Sequence, residues 1–198
     1  MKLLLSLLSI TLFFAMDALA QKANLTDADI QAAIDKGMKE KKSYGLTLCS
    51  VIGFGRCADI FTPTTRIENE ASKAAKEFRT ISVKDIDPDL TAPVLFVVAN
   101  PRIPDHVNDP CLNTSHVVIR DVSKKIVIQP EHKESFESSA SNAFGAKVTC
   151  SGVMATFSLD KLNDLRSKSE KREFLITMID QDMKSDVKVK EKFFDALP

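Results

Sequence analysis

The sequence predicts an α+β fold: a single sheet-rich domain of mostly antiparallel strands with two longer helices near the N-terminus. Three observations lead there. Two stretches with apolar residues at helical spacing fall within residues 26–78. Beyond them, short β-branched and aromatic runs follow one another, interrupted by a single short helical turn. Strands and helices do not alternate, as a parallel sheet would require.

The chain opens with "MKLLLSLLSITLFFAMDALAQ". Lys2 supplies a positive start, Leu3 to Ala15 an apolar run, and Ala18-Leu19-Ala20 a small-x-small cleavage site, so residues 1–20 read as a secretory signal peptide. Residues 21–198 are then one exported domain, periplasmic or secreted, with no membrane insertion after cleavage, because no later apolar run approaches about 20 residues. Lys plus Arg and Asp plus Glu each number 27. This balance gives no electrostatic footprint for nucleic acid.

"TDADIQAAIDKGMKEKK" reads as the first helix. Thr26 or Asp27 caps it, Ile30, Ala33, Ile34 and Met38 share one face, and Gly45 ends it. "GLTLCSVIGFGRCADIFT" reads as two short strands about a Gly-rich turn. "PTTRIENEASKAAKEF" is the second helix, with Thr65 and Glu68 at capping-box spacing. Its stripe of Ile67, Ala71, Ala74 and Phe78 suits close packing on a sheet.

"APVLFVVA", residues 92–99, is apolar on both faces and reads as a central, doubly covered strand. "SHVVIRDVSKKIVIQP" is a hairpin turning between Asp121 and Lys124. "AKVTCSGVMATFSL" is a strand with Gly152 as a candidate bulge. "SLDKLNDL" is a short helical turn capped by Ser158, residues 166–172 a solvated loop, and "EFLITMI" with "SDVKVKEKFF" a final strand pair. The mature phenylalanines read as core, apart from an exposed Phe54 at the hairpin tip.

Gly53, Gly55 and Ala58 spell the G-x-G-x-x-A of a dinucleotide-binding turn. That chemistry needs a helix starting at the glycines, its N-terminus facing the pyrophosphate. Here "CADIFTPTT" favours a strand, and no acidic residue stands where a ribose contact belongs, so no nucleotide cofactor is expected. Four cysteines in an exported chain suggest two disulfides, with three connectivities open. A hairpin centred on Gly53 sets Cys49 opposite Cys57, within reach of a bridge. That pairing leaves Cys111 for Cys150.

The segment "NPRIPDHVNDPCLNTS" and the adjoining His116 form the most site-like stretch. Asp105, His106, Asp109 and His116 are the candidate catalytic groups, since carboxylates beside imidazoles suit acid–base work. The spacing His106-x4-Cys111-x4-His116 matches no usual zinc pattern, and a disulfide would consume Cys111, so no metal is expected. Glu131 and His132 read as a solvated turn pair. No nucleophile elbow or zinc-protease motif occurs in a convincing context. With no Trp and one Tyr, stacking platforms for sugars or bases are also not expected.

The segments "HVVIRDVSKKIVIQP" and "SNAFGAKVTCSGVMATFSLDKL" resemble those of uncharacterised exported bacterial proteins of similar length. The resemblance spans most of the mature chain. It implies export and a single domain, and carries over no catalytic residue. The expected function is a non-catalytic binding or envelope-associated module, with a protein of the envelope as its partner. The alternative is an exported hydrolase using the Asp105/His106/His116 loop.

Overall fold

The computed structural model describes residues 24–50, 55–103, 111–123, 125–141, 147–169, 173–181 and 183–190. The signal segment, Gly53, Phe54, Asp105, His106, Asp109 and the final "EKFFDALP" therefore lie outside the described residues.

Helix α1 spans Asp27–Glu40. Thr26 starts it with a reciprocal cap: its hydroxyl accepts the Asp29 N–H, and the Asp29 carboxylate accepts the Thr26 N–H at 3.0 Å. The helix ends at Lys41 in the left-handed region, φ 51°, and not at Gly45. Gly45 is instead required by a close approach, since at φ 141° a Cβ there would lie 2.7 Å from the Phe61 ring. Helix α2 spans Pro63–Lys76. Its cap is Thr62 paired with Thr65, not the expected Thr65 with Glu68, because Pro63 fits only the first turn and fixes the boundary one residue before itself.

The two helices cross closely. A Cβ on Gly37 would lie 2.3 Å from the Glu68 carbonyl oxygen and 2.7 Å from Ala71 Cβ. Ala71 thus packs against a helix, where a sheet was expected. Ile30, Ala33, Ile34, Ile67, Ala71 and Ile86 form a small core around this crossing. Lys36 Nζ reaches the buried Glu68 carboxylate at 2.8 Å. Burial pushes that carboxyl above its usual range, while Lys36 pulls it back.

Nine strands form two antiparallel sheets among the described residues. The larger runs β1 (Leu46–Cys49), β2 (Cys57–Phe61), β3 (Val94–Ala99), β7 (Lys147–Ser158) and β6 (His132–Ser141) in spatial order. The smaller runs β5 (Val127–Ile128), β4 (His116–Asp121), β8 (Phe174–Asp180) and β9 (Met183–Val189). The expected α+β class is therefore observed. Alternate residues of both sheets meet in one core: Ile60, Leu95, Val97 and Phe157 from one side, Val117, Ile119, Phe174 and Ile176 from the other. A one-turn helix, α3 (Pro88–Thr91), leads into β3. Helix α4 (Leu159–Lys168), capped by Ser158, adds Leu159, Leu162 and Leu165 to the core.

Several elements differ from expectation. Strand β3 is central, but only Leu95, Val97 and Ala99 are fully buried; Val94, Phe96 and Val98 on its other face are partly buried. Gly152 is no bulge, since β6 and β7 pair without interruption through Phe136–Gly152. Its missing side chain makes room for the Phe136 ring and Pro101, either of which a Cβ would strike. Strand β6 is itself unanticipated, and His132 starts it, where a turn was expected. Helix α4 continues through Lys168 with Arg166 buried, so residues 166–168 are not solvated loop. Phe78 leaves the core stripe altogether: it is 95% exposed, in a left-handed conformation past the end of α2.

Candidate functional site

The disulfides organise one end of the larger sheet. Cys49 is bonded to Cys57 across the β1–β2 pair, directly opposite in register, and Cys111 is bonded to Cys150 on β7. The second bond anchors an excursion whose base is a single antiparallel bridge between Arg102 and Leu112. Beyond the end of β3, Asn113 and Thr114 take the neighbouring position along β7. The Asn113 side-chain oxygen accepts the Ser151 N–H at 2.9 Å, and the Thr114 N–H donates to the Ser151 carbonyl at 2.8 Å.

His116, the described member of the expected catalytic group, starts β4. Its Nε2 lies 3.3 Å from the Gln129 amide oxygen and its Nδ1 3.1 Å from Lys133 Nζ. An ammonium can only donate, so Nδ1 is the acceptor and Nε2 carries the proton to Gln129. The ring is a bridge between β4, the β5 end and β6. Neither contact is to a carboxylate or a nucleophile. Cys111, in its disulfide, is no metal ligand, and among the described residues no group of three or more His, Cys, Asp or Glu could hold a metal ion. Ala58, the last position of the nucleotide-like motif, sits buried inside β2 where that chemistry needs a helix.

Arg56 sets a charge deep at this end. It is 1% exposed, and none of its three guanidinium nitrogens has a hydrogen-bond partner among the described residues. Burial pushes its pKa down, and the Asp180 carboxylate opposes that shift.

The opposite end of the larger sheet holds a different kind of site. Helix α2 presents Arg66, Asn69, Glu70 and Lys73, successive positions on one face, toward the partly buried rings of Phe61 and Phe96. Leu90 from α3 lines one side, leaving an open groove of about 380 Å³. The two rings stand 6.2 Å apart at 46°. Asn69 is not free to meet a ligand. Its amide clamps the Tyr44 backbone, accepting the N–H and donating to the carbonyl, both at 2.7 Å. That clamp fixes α2 against the segment leading into β1. Tyr44 donates its hydroxyl to the Lys36 carbonyl, and burial, with help from Glu40, pushes its pKa up to about 12.

Arg66 is the polar centre of the groove. Its Nη2 donates to the Asp89 carbonyl at 2.5 Å, and its guanidinium carbon stands 5.9 Å from the centre of the Phe96 ring. Its Nη1 is sealed from solvent with no hydrogen-bond partner among the described residues, and the Asp89 and Asp87 carboxylates act on the guanidinium from α3 and its cap.

Comparison with family models, with curated proteins and with solved structures finds no match. The reading of this site therefore rests on its own geometry. The sequence pattern did not point to it. The usable signals were the apolar character of both faces of residues 94–99 and an arginine among the polar residues of α2.

A second groove, of about 410 Å³ and somewhat more enclosed, runs between the β5 segment and α4, with exposed Ile126 and Val127 on its rim.

Proposed function

We propose that this chain is an exported, non-catalytic binding module whose ligand sits between α2 and the outer face of the larger sheet. The observation that carries the reading is β3. Its residues are apolar on both faces, yet one face is only partly buried and walls an open groove with Phe96. A groove of a few hundred Å³ that combines apolar walls with convergent polar side chains has the size and make-up of a small-molecule site. Two disulfides suit an oxidising compartment, in keeping with the leader-like first 20 residues. No helix among the described residues is long and apolar enough to cross a membrane. The commitment of both His116 ring nitrogens to Gln129 and Lys133 favours a structural role over a catalytic one.

The test is a thermal-unfolding screen of the chain from Gln21 onward. A panel of small molecules is run beside ester, phosphomonoester and peptide substrates. A ligand of the native state raises Tm with concentration. At least one compound should do so, be recovered unchanged, and lose its effect in Phe96→Ala. Turnover of a substrate that disappears in His106→Ala or His116→Ala would overturn this reading in favour of an exported hydrolase.

A further inference from the structure

We propose that the Cys49–Cys57 disulfide is a site of reversible thiol–disulfide exchange with a dithiol, and that its reduction parts the end of β1 from β2 and releases the buried Arg56 to water. The site lies at the end of the larger sheet away from the ligand groove, so it stands or falls separately from the binding-module reading.

The two disulfides differ in access. Cys49 is exposed and Cys57 partly buried, on β1, the outermost strand of the larger sheet, and on its neighbour β2. Cys150 is 1% exposed on β7, which lies between β3 and β6. Exchange needs a thiolate to reach a disulfide sulfur, so access favours the first bond. That bond also sits where little else holds the chain. β1 has no fully buried residue, and four register pairs join it to β2. β2 is paired on its other side with β3, so an opening is confined to β1 and the start of β2.

Arg56 supplies the drive. It precedes Cys57, and its carbonyl accepts the Ser50 N–H at 2.9 Å. Its side chain is sealed from water without a hydrogen-bond partner among the described residues, and the Asp180 carboxylate acts on it only through space. A guanidinium so placed has lost its hydration without replacement. Its move to water is favourable once the backbone beside it can shift. In the oxidised protein that backbone is held, because the bond fixes the adjacent Cys57 against Cys49. Reduction removes the tie.

The exchange balances as follows from thiol chemistry. A thiolate of the dithiol attacks Cys49 Sγ, on the more exposed of the two residues. A mixed disulfide forms there as the Cys49–Cys57 bond breaks, and the electron pair leaves on Cys57 Sγ, which takes up a proton. The second thiol of the reductant, deprotonated, attacks the reductant's own sulfur in the mixed disulfide. The reductant's disulfide forms, and the Cys49 thiolate leaves and is protonated. Two electrons and two protons pass from the dithiol to the protein.

The test uses the chain from Gln21 onward and dithiothreitol, without denaturant. Free thiols are alkylated at intervals and located by mass spectrometry. Cys49 and Cys57 should be labelled at least about 10-fold faster than Cys111 and Cys150. In the protein with only the first bond reduced, amide exchange of residues 46–50 should rise about 10-fold or more while β3 and β7 stay unchanged. Trypsin should then cut after Arg56, which it spares in the oxidised protein. Arg56→Met isolates the drive, because an apolar side chain in place of a buried charge is tolerated by the fold. After reduction its exchange at residues 46–50 should rise at least about 3-fold less than in the unaltered protein. Labelling of all four cysteines at one rate, unchanged exchange at residues 46–50 after reduction, or an equal rise in Arg56→Met would overturn the inference.

Discussion

The sandwich and the helical pair are held together by different means. Between the sheets, 19 buried residues from seven strands and α4 form one cluster among the described residues. Hydrogen-bonded ladders run through both sheets, and two disulfides tie one end of the larger one. The helical pair gathers six buried residues. It depends instead on backbone approach at Gly37, on two threonine caps, on the Lys36–Glu68 pair and on the Asn69 clamp. Apolar burial at about 25 cal/mol per Å² makes the larger cluster the main source of stability. The smaller unit, with fewer buried contacts, is the part expected to open first. The groove lined by Phe61, Phe96, Leu90 and α2 lies where the two units meet.

The largest effect should come from breaking the sandwich's covalent ties. The Cys111–Cys150 bond closes a separation of 39 residues and the Cys49–Cys57 bond only 8. On the loop-entropy account these contribute about 4 and about 2.5 kcal/mol. Replacing Cys111 and Cys150 together by Ser should lower the urea midpoint of the whole molecule, and the Cys49/Cys57 pair should do so less. Equal losses would show that native strain or residual structure, not loop length, sets the stabilisation.

A smaller and more local effect should follow Gly37→Val, which forces atoms into the Glu68 backbone. Overpacking of this kind costs about 1–3 kcal/mol. Its reach is readable because the chain has no Trp and a single tyrosine, Tyr44, buried against the helical pair. Tyrosine fluorescence therefore reports that region, while circular dichroism reports the whole. In Gly37→Val the fluorescence transition should precede the dichroism transition. Coincident transitions would mean that the two cores unfold as one.

The same contrast explains what the sequence made legible. The hairpins and the final strand pair could be read because alternation and turn residues lie close together in the chain. The opposition of Cys49 and Cys57 followed from a short turn between them. The helix ends were misplaced because local rules compete. Thr65 and Glu68 have the right spacing for a cap, but Pro63 fixes the boundary at Thr62. Strand β6 was missed because "HKESFESSAS" is polar on both faces, as an exposed edge strand needs to be. Phe61, Phe96 and Phe136 looked like core because hydrophobicity says that a side chain avoids water, not how completely it succeeds. The groove against α2 left only partial signals in the sequence. It needs the end of β2, one face of α2, α3 and β3 to converge, and tertiary packing alone brings them together.

The most direct test of this organisation is native-state hydrogen exchange. α1 and α2 should exchange through openings of lower free energy than β3, β7 and β8. Uniform protection across the helices and both sheets would contradict the two-core organisation.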